Sequence, residues 1–89
     1  MAAKQQRLPL VSSRELINAL TRLGFQLDTE GSGGSHISMY RERPDGHKDI
    51  TTVVRSKPEI PRGTLTHILR LANVSNNEFI AALRGRKKR

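Results

Sequence analysis

Gly34-Ser35-His36-Ile37-Ser38-Met39-Tyr40-Arg41-Glu42-Arg43, then Pro44-Asp45-Gly46, then Lys48-Asp49-Ile50-Thr51-Thr52-Val53-Val54-Arg55: these two runs and the turn between them decide the fold. In the first run Ile37 and Met39 alternate with His36, Ser38 and Tyr40, the period of a strand buried on one face. Pro-Asp-Gly is a strong turn signal, and the β-branched run from Ile50 to Val54 supplies the second arm of an antiparallel hairpin. Ile37 and Met39 are expected to face a core, whereas His36, Ser38 and Tyr40 face away from it. Upstream, residues 25–28 read as a third short strand, joined to the hairpin by Gly31-Ser32-Gly33-Gly34, which reads as a flexible turn.

Helices flank this sheet. Ser12 and Glu15 stand in capping-box spacing, Val11 and Leu16 in staple spacing, and Leu16, Ile17, Leu20 and Leu23 share one helical face. The spacing predicts a helix over about 13–23, ended by Gly24 in a left-handed cap with Phe25 folded back on Leu20. After the hairpin, residues 56–63 with Pro58 and Pro61 read as a loop. Thr64 is placed to cap a second helix on Leu65, Ile68, Leu69 and Ala72, with Asn73 as its stop. Ser75 with Glu78, and Val74 with Phe79, repeat the box and staple for a last helix to about Arg84. The likeness between residues 11–20 and 74–83 is explained by this shared capping grammar and needs no duplication. The expected class is α+β, in the order α-β-β-β-α with an extra short helix. Residues 1–11 form a lead-in, 12–84 one domain, and 85–89 a basic tail.

Bulk composition narrows the functions. A chain of 89 residues has room for one thin core, and it buries roughly 60–65% of its unfolded surface. It has no cysteine, which excludes a disulfide framework, a zinc ribbon and a thiol nucleophile, and fits a reducing cytoplasm, the expected location. The first ten residues lack the apolar core of a signal peptide, and no apolar run is long enough to span a membrane. The net charge is +8, yet seven of the sixteen cations lie in residues 1–7 and 84–89. The intervening stretch is nearly neutral, so the charge points to polyanion affinity without selectivity.

No metal-ligand spacing, Walker loop or dinucleotide fingerprint occurs, and neither metal nor cofactor is expected. Of the three histidines, His47 lies in a turn and His67 on the polar side of a helix. His36 differs. It starts a strand on the face turned from the core, directly after Gly34-Ser35, where a glycine lets a phosphate approach the backbone. An imidazole there can act as acid or base near neutral pH.

Gly34-Ser35-His36 before an alternating strand, Gly63-Thr64-Leu65 leading to Ile68-Leu69, Val74-Ser75 with Glu78-Phe79, and the opening Arg14-Glu15-Leu16-Ile17, Leu20 and Gly24-Phe25 together resemble the HicA toxin family over about residues 12–83. The resemblance implies a fold like the double-stranded RNA-binding domain. It also implies an mRNA interferase in which the motif histidine, here His36, is needed for RNA cleavage, and a HicB-like antitoxin that covers the active face. Many members carry basic residues just before this glycine, whereas this chain has Thr29-Glu30-Gly31-Ser32-Gly33. Substrate contacts are therefore expected from Gly34 and Ser35 and from Arg41, Arg43, Arg55, Lys57 or Arg62. Two other readings stay open: a non-catalytic RNA-binding module of the same fold, and a chain whose main role is to bind a partner protein.

Overall fold

The computed structural model describes residues 7–85 in the order α1 (Ser13–Arg22), β1 (Gln26–Gly33), β2 (His36–Glu42), β3 (Lys48–Val54), α2 (Arg62–Ala72) and α3 (Asn76–Arg84). The strands form one antiparallel sheet in the order β1-β2-β3, with the helices on one side of it. This is the α+β arrangement expected of a double-stranded RNA-binding-type fold.

Capping residues fix both outer helices. Ser12 Oγ accepts from the Glu15 amide (3.1 Å) and Glu15 Oε1 from the Ser12 amide (2.8 Å); Ser75 and Glu78 repeat the pair at α3. Helix α1 closes when the Gly24 amide donates to Thr21 and the Phe25 amide to Leu20, with Gly24 at φ +100°. These are the paired bonds of a Schellman cap, and the positive φ is what requires glycine there. One helix starts elsewhere than expected. Helix α2 begins at Arg62 after Pro61, not at a Thr64 cap, and the Leu65 amide makes its first bond to the Pro61 carbonyl. Pro61, at φ −57°, is already set for helix entry, so Gly63 and Thr64 lie inside the first turn.

The core joins Leu16 and Leu20 of α1, Leu65 and Leu69 of α2 and Phe79 of α3 to Met39 and Val53 of the sheet. Ile37 and Met39 face the helices as expected. Thr51 lies in the same layer, its hydroxyl satisfied by the Ile68 carbonyl (2.7 Å). Ser38 was expected to be open, yet it is only 8% exposed. It sits mid-sheet with Asp28 and Thr52 as cross-strand neighbours, and these flank a small side chain on both sides.

Two further expectations change. Strand β1 runs to Gly33 with a register shift between Asp28 and Gly33, so the turn shrinks to Gly34-Ser35, with Gly34 at φ +55°. A strand with one irregular stretch keeps enough pairing to continue through glycines. The expected lead-in, 1–11, differs in its described part: Leu8 and Val11 are buried, Val11 bridges Ile60, and Arg62 Nε donates to the Leu8 carbonyl (2.7 Å). Of the expected basic tail, residues 86–89 lie outside the described residues. Among the described residues no helix is long and apolar enough to cross a membrane.

Candidate functional site

The register of the hairpins places His36 at a corner. It is the first residue of β2, paired with Gly33 on one side and Val54 on the other. Its side chain is exposed, on the open face of the sheet. Ser35 Oγ stands 3.5 Å from His36 Nδ1. A Cβ built on Gly33 or Gly34 would meet nothing within 4 Å, so the backbone of the turn is open to close approach.

Arg55 holds this turn in place. Its amide donates to the Ser35 carbonyl (2.7 Å) and its Nε to the Gly34 carbonyl (3.1 Å). The guanidinium is thereby tied to the turn that presents His36, with its terminal nitrogens still available for an anion. Lys57 follows two residues later. Its backbone is fixed by a buried serine: Ser13 Oγ accepts from the Lys57 amide (2.8 Å) and donates to the Val54 carbonyl (2.6 Å), while the Ser13 amide donates to the Lys57 carbonyl (2.9 Å). Ser56 between them is left-handed, at φ +58°. A non-glycine residue there costs about 1 kcal/mol or more, and the bonds on either side hold it.

Among the residues expected from sequence, the structure thus brings Gly34, Ser35, His36 and Arg55 together, with Lys57 beside them. Arg41 and Arg43 are elsewhere. They lie on the helix side, at the other end of β2 and just beyond it. Arg41 pairs opposite Asp49, about 17 Å along the strand from His36. Both guanidiniums bind the Asp49 carboxylate at 2.9–3.2 Å, and Arg41 also stacks on Phe25 (4.7 Å) and donates to the Leu23 carbonyl. Asp49 is nearly buried, and its hydrogen bonds to Arg43, opposed by burial and joined by those to Arg41, hold its carboxyl below the usual range. This cluster closes the end of the core. Arg62 is likewise engaged by Leu8. His47 lies in its turn with Nδ1 3.1 Å from Asp45, and His67 is exposed. Sequence reasoning missed Ser13. The available signal was the doubled serine at the helix start, of which the cap uses only the first. Among the described residues no group of three or more His, Cys, Asp or Glu side chains could hold a metal ion.

An α-β-β-β-α-α chain with its helices on one side of a three-stranded antiparallel sheet, and a histidine open at the sheet's corner, belongs to the class of double-stranded RNA-binding-type folds. The family model described as "HicA toxin of bacterial toxin-antitoxin" matches residues 13–74, more than two thirds of the chain and all of the fold except α3. The chain belongs to the HicA toxin family. No curated protein matches it in a sequence comparison.

Proposed function

We propose that this chain is the toxin of a type II toxin–antitoxin pair, an endoribonuclease that cleaves mRNA in the cytoplasm and is neutralised by a HicB-like antitoxin. The observation that carries this reading is the corner itself. An exposed imidazole and an Arg55 guanidinium are held on one two-residue turn whose backbone is open to a phosphate.

RNA supplies its own nucleophile, so the reaction needs little machinery. Neutral His36 takes the proton of a 2′-hydroxyl as the 2′-oxygen bonds to phosphorus. The P–O5′ bond then breaks, giving a 2′,3′-cyclic phosphate and, after proton uptake, a 5′-hydroxyl. General base catalysis of this kind contributes on the order of 10²–10⁴-fold. Arg55, with Lys57 beside it, stabilises the charge that grows on the phosphorane oxygens, an effect that one well-placed donor supports at about 10²–10³-fold. No metal is required for either role.

The experiment is cleavage of a defined RNA by wild-type protein and His36→Ala. The expected results are loss of cleavage with an unchanged melting curve, cyclic-phosphate ends in the wild-type products, and resistance of RNA lacking the 2′-hydroxyl at the cut site. Activity should withstand a chelator. A folded His36→Ala protein that cuts at the normal rate removes the assignment; binding without any cleavage by wild type leaves the RNA-binding module.

A further inference from the structure

A second feature adjoins the corner. Between the first turns of α1 and residues 55–58 lies a cleft of about 440 Å³, the size of small-ligand sites in proteins. Arg14, Ile17 and Asn18 line one wall at i, i+3 and i+4 spacing; Arg55, Lys57 and Pro58 line the other. Three of these are cations, and no carboxylate lines the cleft. Arg14 is exposed, and neither it nor Lys57 belongs to an ion pair of the described residues. Ile17 is half-buried and Pro58 exposed, so each wall carries an apolar side chain beside its cations, and Ser12, Ser13 and Ser56 complete the lining. Arg55 belongs to both places, since it lines the cleft and holds Gly34, two residues before His36.

We infer that this cleft is a nucleotide subsite: it takes the nucleotide next to the phosphate on which His36 acts. A surface that only attracts polyanions needs cations alone. Here the cations stand beside an isoleucine, a proline and one carboxamide, which match a phosphate, a base face and a base edge. Arg14 and Lys57 hold the phosphate, Ile17 and Pro58 lie under the base, and Asn18 offers a donor and an acceptor to its edge. The capping box of Ser12 and Glu15 already satisfies the helix end, so the side chains make the site. The subsite rests on the RNA-cleaving reading above, and it gives that site a means to prefer single-stranded RNA and one base over another.

The test separates binding from cleavage. Full-length protein is titrated with a short fluorescein-labelled single-stranded RNA, 2′-O-methylated throughout so that it cannot be cut, at several salt concentrations. Arg14→Glu is compared with Arg70→Glu, the same charge change in the last turn of α2, outside the cleft. An acid at the second position of α1 suits the helix dipole, so the first variant keeps its fold, which a melting curve verifies. The expected result is a loss of about tenfold or more in affinity, with a shallower salt slope, for Arg14→Glu, and less than about twofold for Arg70→Glu. Amide shifts on titration should include Arg14, Ile17, Asn18 and Lys57. Equal losses in the two variants, or shifts confined to the open face of the sheet, overturn the subsite. If wild type fails to cut RNA while the Arg14 result holds, the cleavage reading fails and the cleft stands as an RNA-binding site only. If it cuts normally and Arg14→Glu binds as wild type does, the subsite alone falls.

Discussion

Asp49 is a single carboxylate shared by two guanidiniums, and it shows what charge in a sequence does and does not disclose. Arg41 and Arg43 stand in the strand that begins with His36 or just after it, and a count of cations makes them candidate RNA contacts. Their actual partner follows from strand register, which sets Arg41 opposite Asp49 and brings Arg43 within reach of the same side chain. Register is a tertiary outcome, so this engagement was not legible, and neither was the bond by which Arg55 holds the Gly34 carbonyl. A stability prediction follows. The folded-state pKa of Asp49 is depressed, so its contribution is present above the unfolded value, about 3.9, and is lost as pH falls through the folded value. Asp49→Asn should lower Tm at pH 7 by about 5–10 °C, since it weakens several charge-assisted bonds and leaves two arginines without a counter-ion. The gap between the two proteins should narrow below about pH 4. Thermal melts across pH decide it; a gap that stays constant into acid shows that the carboxylate charge contributes nothing.

At the level of elements, what the sequence made legible is what local chemistry determines. Both capping boxes, the Gly24 cap and the Pro-Asp-Gly hairpin are contacts within a few residues, and the structure forms each of them. The start of α2 and the length of β1 depend on long-range anchors instead. The Val11–Ile60 bridge delivers the chain to Pro61, and pairing with β2 draws Gly33 into a strand. The corner has the same division: the outward placement of His36 was legible from alternation, but the way α1 grips residues 55–57 was not. Ser13 and Ser12 make this testable as a pair. Ser12→Ala removes a cap and should cost about 1 kcal/mol. Ser13→Ala removes the hydroxyl that serves both Val54 and Lys57, leaving a part-buried amide and carbonyl with one partner fewer. It should cost about 1–3 kcal/mol and speed hydrogen exchange at the Lys57 amide, which Ser12→Ala should not do. Because Arg55 and Lys57 ride on that segment, RNA cleavage should fall more in Ser13→Ala than its stability loss explains. Identical exchange at Lys57 in both variants means that the serine does not hold the loop.

On the scale of the whole molecule, the one-sided packing of the helices leaves two open surfaces that meet at His36. One is the basic corner with its cleft. The other is the open sheet face, where Ile50 is 52% exposed opposite a half-buried Tyr40, and Lys48 lies 5.1 Å over the Tyr40 ring. Leu27 is also 55% exposed, yet it belongs to the helix side of the edge strand, beyond the reach of helices that pack toward β3. Exposed isoleucine and tyrosine paired on a strand are a poor match for a phosphate backbone and a good one for a protein interface, whose centres favour aromatic and apolar contacts. An antitoxin seated over Ile50 and Tyr40 would reach His36 along the same face of β2 and exclude RNA without touching the cleft. Ile50→Glu is the variant that separates these roles. Its side chain already faces water, so the fold should hold with a change in stability within about 1 kcal/mol. RNA cleavage should persist, because the residue lies six positions from Ser56, at the other end of β3 from the corner. Binding of the HicB-like partner should weaken by about tenfold or more, because a carboxylate at an interface centre loses its water even with Lys48 beside it. In cells the variant should therefore arrest growth even when the antitoxin is co-expressed. Full neutralisation of Ile50→Glu would place the antitoxin elsewhere, with the basic corner as the remaining surface that could block His36.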